Sequence, residues 1–513
     1  MTIHGLFYFY DEVTHMHYPS FKSFEKLAGK GNLIPIYREI LADMETPVSA
    51  LAKLQSESTV FLLESAEGGE KWGRYTFLGT DPRTIFRVQG TEIVIRENGT
   101  VRRFRHEGKP LFHLRELLTR YRPVSVKGLP RFYGGAIGYL GYDMVRYFET
   151  LPADTDDDLG TDDAVFILAD TMIVFDNIRN TIMVVACAYT GNGTTLRDIY
   201  DERTAKIDAI ITMLNAPVEV ESPPHTDTMP PTWLAAGQSP ADFKTMVEKA
   251  KDYITAGDII QVVISRRFET ENHYHPVDLY RALRYINPSP YLFFLKLDNL
   301  VLIGSSPEVM VRLEEGVAEL RPIAGTRRRG RTEQEDRELA DELLQDPKEK
   351  AEHIMLVDLG RNDLGRVARI GSVQVTQLMT VERYSHVMHL VSNIRAQLAE
   401  GKDCFDVLAA SFPAGTLTGA PKIRAMEIID ELEQYRRGPY GGAVGYISFS
   451  GNMDMGITIR TIMVRDGKLF IQTGAGIVAD SDPEREYEET LNKAEGMMQA
   501  IRLVASRFTL GNT

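Results

Sequence analysis

The stretch Ile471-Gln-Thr-Gly-Ala-Gly-Ile-Val-Ala-Asp-Ser-Asp-Pro-Glu-Arg-Glu-Tyr-Glu-Glu-Thr-Leu-Asn-Lys-Ala-Glu-Gly496 joins a strand pattern to a helix pattern. The strand-like run ends at Gly474, Ala475 and Gly476, where small residues let backbone N–H groups approach an anion closely. Asp482-Pro483 then predicts a helix start, because Asp caps helices and Pro is favoured at the first helical position. The stretch therefore places a candidate anion site beside a helix.

Glu486, Glu489 and Lys493 recur on one face of that predicted helix. Two carboxylates three residues apart repel each other, so a cation is expected beside them. In the simpler interpretation, Lys493 or Arg485 supplies this cation. In the other interpretation it is Mg²⁺, which takes one or two protein carboxylates and leaves its other positions to water and an anionic substrate.

A second pair of carboxylates, Glu349 and Glu352, lies three residues apart in another helical pattern. One such pair is usually a solvated helix face. Two pairs, one of them beside small residues that admit an anion, keep both the metal interpretation and the solvated interpretation open.

Composition limits the classes of protein that fit. The chain has 513 residues, 43% hydrophobic and 25% charged, which indicates a globular protein of two to four domains with an ample core. No apolar run approaches the ~20 residues that span a bilayer, and the N-terminus lacks a basic region and cleavage site, so we expect a cytoplasmic protein without a membrane segment.

Charge and cysteine content narrow the chemistry further. A net charge of −14 argues against general nucleic-acid binding. The one basic cluster, Arg327–Arg331, is expected to form local ion pairs rather than to bind phosphate. Cys187 and Cys404 are the only cysteines, which excludes a disulfide framework and a Cys-based zinc site, and Cys187 is expected in the core.

The pattern of the chain predicts three regions. Residues 1–215 form an N-terminal region, residues 216–238 are Pro-rich and polar and predict a linker, and residues 239–513 form a C-terminal region. The similar segments Tyr133–Tyr139 and Tyr440–Tyr446 predict two related sheet layers in one large α+β body.

Seven motifs of the C-terminal region carry a resemblance to a known family. They are Ser305–Glu308, Pro322–Thr326, Glu352–Asp363, His386–His389, Pro413–Lys422, Gly474–Gly476 and Glu486–Lys493. In this order they resemble the chorismate-utilising enzymes, which include anthranilate, aminodeoxychorismate, isochorismate and salicylate synthases, and the resemblance to anthranilate synthase large subunits is close. The resemblance implies an α+β fold with large antiparallel sheets packed centrally and helices outside, and a chorismate-binding catalytic region over residues 239–513.

The resemblance also implies a metal site and a substrate site. Glu352 and Glu489 would bind Mg²⁺ directly. Glu349 and Glu486 would bind it through water or contact the residues that bind it directly. The ion would in turn bind the ring carboxylate of chorismate. The residues that the resemblance assigns to the substrate are Thr416, Tyr440, Arg460, Gly474, Ala475, Gly476 and Lys493.

The implied reaction adds ammonia at C2 of chorismate while the C4 hydroxyl leaves, with Glu308 as general acid. Gln261 stands where water-adding relatives have Lys as base, so it favours addition of an amine. Ala324 stands where aminodeoxychorismate synthases usually carry a nucleophilic Lys, which favours addition at C2. His389 is assigned to the loss of pyruvate that aromatises the ring, and Thr326 completes the catalytic set.

Two further segments, Phe61–Ser65 and Asn287–Phe294, resemble the segments that bind tryptophan in feedback-inhibited large subunits. The matching positions are Ser65, Pro290, Tyr291 and Leu292. The alternative is that both segments are ordinary strand ends packed on each other. The resemblance therefore implies a regulatory role for the N-terminal region.

Glutamine hydrolysis in this setting needs a nucleophilic cysteine, and neither cysteine lies in a nucleophile-like turn. We therefore expect ammonia from a separate glutamine amidotransferase subunit, in a heterotetramer of two large and two glutaminase subunits that serves tryptophan biosynthesis. Two alternatives stay open: an aminodeoxychorismate synthase large subunit, and a catalytically silent, tryptophan-sensing subunit with the same fold.

Overall fold

The computed structural model describes residues 16–65, 73–191, 193–218, 234–235, 239–384 and 387–508. Most of the predicted linker, residues 216–238, lies outside the described residues, and so does His386 of the motif His386–His389.

Within the described residues, 24 strands form two antiparallel sheets of 12 strands each. In spatial order the first sheet contains β1 (Leu33–Leu41), β10 (Thr181–Tyr189), β9 (Thr171–Asp176), β3 (Tyr75–Thr80), β2 (Thr59–Glu64), β13 (Tyr291–Leu297), β14 (Leu300–Ser306), β23 (Thr461–Arg465), β24 (Lys468–Ile477), β12 (Gln261–Glu271) and β11 (Leu234–Ala235), with β20 (Gly419–Ala420) paired to β12.

The second sheet has the same size and also combines strands from both halves of the chain. In spatial order it contains β17 (Ile323–Arg328), β19 (Val387–Gln397), β16 (Val317–Leu320), β15 (Val309–Glu314), β22 (Met453–Ile457), β21 (Ala443–Ser448), β7 (Gly135–Leu140), β8 (Ala164–Ala169), β4 (Thr84–Gln89), β5 (Glu92–Glu97) and β6 (Thr100–Arg105), with β18 (Gln374–Arg383) paired to β19.

Helices and short 3₁₀ turns connect these strands. The α-helices of the described residues are α1 (Phe21–Ala28), α2 (Pro47–Lys53), α3 (Pro110–Thr119), α4 (Leu196–Leu214), α5 (Pro240–Ala256), α6 (Pro276–Ile286), α7 (Glu333–Gln345), α8 (Pro347–Gly365), α9 (Cys404–Ser411), α10 (Lys422–Leu432) and α11 (Pro483–Ala505). Within the same residues, 3₁₀ helices cover Tyr142–Tyr147 and Gly415–Leu417. No helix in this part of the chain is long and apolar enough to cross a lipid bilayer.

The inner faces of the two sheets pack on each other. Phe77 of the first sheet contacts Phe132 edge-on at a ring-centroid distance of 5.1 Å, and Phe132 stacks on Tyr446 of the second sheet at 3.9 Å. A second core, which includes Phe24, Tyr280 and Met497, packs helices against the other face of the first sheet. The predicted α+β fold, with central antiparallel sheets and helices outside, is confirmed.

Each sheet runs through both halves of the chain, because β2 pairs with β13 and β7 pairs with β21. The similar segments Tyr133–Tyr139 and Tyr440–Tyr446 therefore lie side by side, with Gly138 opposite Gly445. The prediction that they mark two related sheet layers was wrong, since both segments lead into neighbouring strands of the same sheet. A Cβ on Gly138 would lie 1.8 Å from the carbonyl oxygen of Val165, so only glycine allows this close strand contact. The division of roles between residues 1–215 and 239–513 stays a prediction.

Side-chain caps fix the starts of the two helices that carry the Glu pairs. The Asp482 carboxylate accepts a hydrogen bond from the Arg485 N–H at 3.1 Å, and Pro483 occupies the first helical position of α11. Asp346 caps α8 in the same way, accepting from the N–H groups of Lys348 and Glu349 at 2.9 and 3.2 Å. These caps satisfy N–H groups that have no partner within the helix.

Candidate active site

The predicted acid and a predicted cation both lie where the chain passes from one sheet to the other. Glu308 lies between β14 of the first sheet and β15 of the second. Arg460 lies between β22 of the second sheet and β23 of the first. The two crossings are joined, because the Ile457 N–H donates to the Glu308 carbonyl oxygen at 3.0 Å and the Ser305 N–H donates to the Arg460 carbonyl oxygen at 3.1 Å.

Glu308 lines a cavity and is partly buried. The Thr416 hydroxyl donates to its Oε1 at 2.8 Å. Burial raises the pKa of Glu308 to about 7, against the opposing effects of the Thr416 hydrogen bond and of the Arg460 and Lys493 charges. A large fraction of this carboxyl is therefore protonated at neutral pH, as a general acid requires.

Arg460 offers a positive charge for an anionic ligand. In the part of the chain that the structure describes, its guanidinium forms no hydrogen bond or ion pair. Burial lowers the pKa of Arg460, and the neighbouring Tyr440, Glu308 and Glu489 oppose that effect. Its φ of 50° lies in the left-handed region, which non-glycine residues seldom adopt outside turns and functional sites.

The glycines of the opening stretch make room for two polar side chains. A Cβ on Gly476 would lie 2.6 Å from Gln261 Nε2, and a Cβ on Gly474 would lie 2.9 Å from the Tyr440 hydroxyl. The side chain of Ala475 is buried in a core with helices α5 and α10, so this residue can offer only its backbone. Lys493 Nζ donates to the Gly474 carbonyl oxygen at 2.9 Å, which brings α11 against the same strand.

Gln261 is buried at the start of β12, with 5% of its surface exposed. Its Nε2 lies 3.5 Å from Glu352 Oε1. Its Oε1 has no hydrogen-bond partner within the described residues. A buried carbonyl oxygen without a donor is costly, so Gln261 presents an acceptor to an N–H or O–H group of a ligand.

The four predicted metal-binding carboxylates interact across α8 and α11. Burial raises the pKa of Glu352, and the charges of Glu349 and Glu489 raise it further. Burial also raises the pKa of Glu486, with Glu489 again adding to the rise and a hydrogen bond from Ser481 opposing it. The two Glu pairs therefore face one another.

Cations balance two of these carboxylates. Lys493 Nζ lies 2.6 Å from Glu489, as the simpler interpretation of the sequence predicts. Arg327 Nη1 lies 3.2 Å from Glu349. No three His, Cys, Asp or Glu side chains among the described residues are arranged as a complete metal cage. An all-carboxylate donor set still fits Mg²⁺, because this ion takes few protein ligands and completes its shell with water and substrate.

Strand pairing brings His389 and Thr326 together, since they lie opposite each other in β19 and β17. His389 Nδ1 lies 3.2 Å from the Gly325 carbonyl oxygen and 3.0 Å from the Thr326 hydroxyl. A carbonyl can only accept, so Nδ1 carries the proton and Nε2 of the neutral ring is left as a base. Burial lowers the pKa of His389, which keeps the imidazole neutral near pH 7.

The four residues predicted to bind tryptophan line a different cavity of about 560 Å³, counting its open mouth. This size is that of small-molecule pockets. Tyr291 donates to Asp454 at 2.7 Å, and Asp454 forms ion pairs with Arg131 and Arg312. The remaining predicted residues are Ser65, Pro290 and Leu292. The strand ends do pack on each other, since Leu292 lies opposite Glu64, but a cavity lies beside them.

The cavity lined by Tyr291 lies close to Glu308, both along the chain and in the sheet. Tyr291 of β13 is paired with Ser306 of β14, two residues before Glu308. The ring of Tyr291 also packs against Gly456, where a Cβ would lie 2.8 Å from it. Gly456 immediately precedes Ile457, whose N–H holds the Glu308 carbonyl.

The basic cluster and the cysteines fit their expected structural roles. Arg328 pairs with Glu335 and Arg329 with Asp336 at 2.5 and 2.7 Å, so the cluster forms local ion pairs. Cys187 and Cys404 are both buried, and burial raises the pKa of both thiols, which disfavours a reactive thiolate.

Sequence reasoning missed several polar residues of the site. Lys348 faces both Glu352 and Glu486, and Ser481 hydrogen-bonds Glu486. Asp363 and Lys422 form a buried ion pair at 2.8 Å beneath the segment that carries Thr416. Asp363 is the last residue of the motif Glu352–Asp363, and Lys422 is the last residue of the motif Pro413–Lys422. Nothing in the spacing of these two motifs indicates that the two side chains are in contact.

Comparisons with known proteins agree with this geometry. Residues 59–499 match the family model described as chorismate binding enzyme. The chain is 46% identical over 500 residues to anthranilate synthase component 1 of Acetivibrio thermocellus, covering 95% of this chain and 99% of that protein. It is 48% identical over 493 residues to the protein of the same name from Aquifex aeolicus, covering 94% and 98%. A crystal structure of anthranilate synthase component I from Streptococcus pneumoniae matches with a TM-score of 0.74 and 36% identity, over 90% of this chain and 99% of that chain.

The raised pKa of Glu308 predicts a pH-dependent gain in stability for a Glu308→Gln variant. The folded-state pKa of about 7 exceeds the ordinary 4.5, so the folded protein binds this proton more tightly and loses stability as pH rises from 4.5 to about 7. Glutamine has no proton to lose. The unfolding free energy of the variant, relative to the parent, should rise by about 2–3 kcal/mol between acidic and mildly alkaline pH, measured by chemical unfolding. A difference that does not change with pH would contradict the burial of this carboxyl.

Proposed function

The chain belongs to the family of chorismate binding enzymes, and within this family we propose that it is the large subunit of an anthranilate synthase. It converts chorismate and ammonia to anthranilate, pyruvate and water, the first committed step of tryptophan biosynthesis. Relatives of that name match nearly the whole chain at 46% and 48% identity. The observation that carries the proposal is Glu308, a partly buried carboxyl whose pKa is raised to about 7 and which accepts a hydrogen bond from the Thr416 hydroxyl at 2.8 Å.

Chorismate is a dicarboxylate, so its site needs cations and hydrogen-bond donors. Arg460 and Lys493 supply two positive charges close to Glu308. The backbone of Gly474–Gly476 and the hydroxyls of Tyr440 and Thr416 supply polar contacts around them. A charge-assisted hydrogen bond is about twice as strong as a neutral one, so the two cations dominate substrate binding.

Mg²⁺ fits between the Glu pairs, with Glu352 and Glu489 as ligands and Glu349 and Glu486 around them. When bound, it would neutralise a substrate carboxylate and fix the orientation of the ring. The charges of Glu349 and Glu489 raise the pKa of Glu352, and the charge of Glu489 raises the pKa of Glu486. This repulsion supports the assignment, because a divalent cation would relieve it.

The first chemical step breaks the bond between C4 and its hydroxyl. Hydroxide is a poor leaving group at neutral pH, so Glu308 donates its proton and water leaves. Ammonia forms the new bond at C2 and needs no base to become a nucleophile. The unpartnered Oε1 of Gln261 accepts an N–H of ammonia and so orients its lone pair toward the ring.

The second step forms the aromatic ring. The ammonium group formed at C2 returns a proton to the Glu308 carboxylate. The neutral Nε2 of His389 then takes the proton from C2, the electron pair of that C–H bond completes the aromatic ring, and the bond between C3 and the enolpyruvyl oxygen breaks. The enolpyruvate that leaves takes up a proton at its methylene carbon and becomes pyruvate, which returns His389 to its neutral form. The contact of Nδ1 with Gly325 and Thr326 fixes the tautomer that makes Nε2 the base. Ala324 has no nucleophilic group, which favours this route over the covalent chemistry of aminodeoxychorismate synthases.

Ammonia reaches the site from a separate glutamine amidotransferase subunit. The two cysteines of the chain are buried with raised thiol pKa, so neither is suited to attack glutamine. The names of the relatives, component 1, are consistent with a partner component. We place the enzyme in the cytoplasm as a heterotetramer of two large and two glutaminase subunits.

Tryptophan inhibits the enzyme by binding the cavity formed by Ser65, Pro290, Tyr291 and Leu292. An indole ring fits between the apolar walls of this cavity, and its polar rim can bind the amino and carboxylate groups. Inhibition requires that tryptophan bind an inactive arrangement more tightly than the active one. Tyr291 pairs with Ser306, which lies two residues before Glu308, so a shift of Tyr291 can be transmitted to Glu308 through this strand.

The proposed reaction is tested by anthranilate fluorescence. The purified chain should release anthranilate from chorismate, Mg²⁺ and ammonium at mildly alkaline pH, and EDTA should abolish the signal. Glu308→Gln should lower kcat by roughly 10²–10⁴-fold, because the leaving hydroxyl loses its acid. Glu338→Gln, on an exposed face of α7, is the matched control and should retain parent activity.

Three results would contradict the proposed reaction. Unchanged turnover in Glu308→Gln would remove the acid from the mechanism. Accumulation of 4-amino-4-deoxychorismate in place of anthranilate would assign the chain to the aminodeoxychorismate branch. Chorismate that is bound but not consumed, with glutaminase supplied, would favour a silent regulatory subunit.

Filling the cavity lined by Ser65 and Tyr291 should remove inhibition by tryptophan. Ser65→Phe places a ring where tryptophan would bind, so the concentration of tryptophan that halves the activity should rise at least tenfold while ammonia-dependent turnover stays within about twofold of the parent. Ser56→Phe, in an exposed turn before β2, is the matched control and should keep normal inhibition. Equal inhibition of both variants would place the tryptophan site elsewhere.

A further inference from the structure

The segment Pro413–Thr418, here the Thr416 segment, carries the hydroxyl that holds the Glu308 carboxyl. It links α9 to β20 and contains the 3₁₀ turn Gly415–Leu417. A turn of this length has few hydrogen bonds of its own, so its position depends on contacts made by its neighbours. Buried cations bind its backbone carbonyl groups on both sides of Thr416.

Lys422 binds the first side of the Thr416 segment. Its Nζ donates to the Pro413 carbonyl oxygen at 2.9 Å and to Asp363 Oδ2 at 2.8 Å, and it lies 3.4 Å from the Ser411 carbonyl oxygen. The side chains of Lys422 and Asp363 are each 12% exposed. All three donors of the ammonium group therefore have acceptors.

Arg437 binds the other side of the segment. Its Nη1 donates to the Leu417 carbonyl oxygen at 2.7 Å, and its Nη2 donates to the Val263 carbonyl oxygen at 2.7 Å. Glu433 accepts from Arg437 Nε and Nη2 at 2.8 and 2.6 Å and also from the Ser265 N–H at 2.7 Å. This ion pair is almost completely buried, with side-chain exposures of 1% and 4%.

Each ion pair ties the Thr416 segment to another element of the site. Asp363 lies on α8, the helix that carries Glu349 and Glu352. Val263 lies on β12, two residues after Gln261. The segment also packs tightly on α8, because a Cβ on Gly415 would lie 2.0 Å from Leu359 Cδ2. Thr416 is thereby fixed relative to the helix with the carboxylates and to the strand with Gln261.

Among the groups that act on Glu308, Thr416 is the one that donates a hydrogen bond to its carboxyl. Arg460 and Lys493 act on it through their charge, and Thr416 donates to it. A cavity of about 400 Å³ extends from Glu308 and Thr416 to Arg321 and Asp363. A shift of the Thr416 segment into this cavity would break the hydrogen bond to Glu308.

We propose that Lys422 and Arg437 are positioning residues that clamp the Thr416 segment from both sides, so that Thr416 holds the carboxyl of Glu308 in line with the departing hydroxyl. The proposal rests on the proposed function for the identity of the reaction. The clamp acts through Thr416, since neither cation touches Glu308. Both cations also satisfy carbonyl groups that would otherwise be buried without donors.

A double-mutant cycle tests the clamp. Lys422→Met should lower kcat roughly 10–100-fold, because Thr416 moves away from Glu308 and misplacement of a catalytic group is costly. The Thr416 hydrogen bond lowers the pKa of Glu308, so its loss should shift the alkaline limb of the kcat/KM profile to higher pH. Thr416→Val should cause the same shift, and the double variant should be no worse than Thr416→Val within about twofold. Effects that multiply, or an unchanged pH profile in Lys422→Met, would overturn the proposal.

A charge-neutral variant separates positioning from stability. Lys422→Met leaves Asp363 buried without its cation, which destabilises the fold by itself. Lys422→Met combined with Asp363→Leu removes both charges, so the melting temperature should recover while the shifted pH profile remains. If the double variant regained both the melting temperature and the pH profile of the parent, the Lys422–Asp363 pair would have only a structural role, and the proposal would be overturned. Lys402→Met breaks the pair between exposed Lys402, just before α9, and Asp406 in its first turn, and should change neither readout.

A measurement without turnover separates this inference from the proposed function. Hydrogen–deuterium exchange of peptides that cover Pro413–Ala420 should be at least several-fold faster in Lys422→Met than in Lys402→Met. Unchanged exchange would overturn the clamp, whatever product the enzyme makes. A parent chain that makes no anthranilate, with the expected exchange difference present, would overturn the proposed function and leave the clamp standing.

Discussion

A partly buried carboxyl group at a crossing between two sheets is the constraint on which the rest of the site depends. Glu308 cannot be ionised cheaply there, because burial raises its pKa to about 7. The nearby cations Arg460 and Lys493 limit this rise, so the group is neither permanently ionised nor permanently protonated. A general acid performs best when its pKa is close to the working pH, and this balance of burial against charge provides it.

The fold explains why the acid and the cations meet. Glu308 and Arg460 lie in connections that pass between the two sheets, and backbone hydrogen bonds join these connections in both directions. Helix α8 carries Glu349 and Glu352, and helix α11 carries Glu486 and Glu489. Gln261, at the start of β12, lies beside Glu352. The cavity beside Tyr291 lies one strand away, so a ligand there acts on a strand that leads directly to Glu308.

Much of this arrangement could be predicted from the sequence. The Asp482-Pro483 signal predicted the start of α11, and the ordered motifs predicted the fold class. The same motifs supplied the candidate residues of the site, whose roles stay predictions. The placement of Tyr133–Tyr139 beside Tyr440–Tyr446 could not be predicted, because similar segments reveal nothing about which strands pair. Long-range contacts of this kind follow from packing of the whole chain.

The ion pairs Asp363–Lys422 and Glu433–Arg437 could not be predicted from the sequence for a similar reason. Asp363 and Lys422 lie 2.8 Å apart but far apart in sequence, and Arg437 lies outside the recognised motifs. Only the structure shows that Lys422 and Arg437 donate to backbone carbonyl groups of the Thr416 segment. The Lys493–Glu489 contact, by contrast, follows from helical spacing, and the sequence predicted it.

The most direct test of this account is an infrared titration of the Glu308 carboxyl, taken as the difference between the parent and Glu308→Gln spectra. The account predicts that the band of the protonated carboxyl disappears with a midpoint near pH 7. A midpoint near 4.5, the ordinary value for this carboxyl, would show that Glu308 is ionised at neutral pH and would contradict its assignment as the acid.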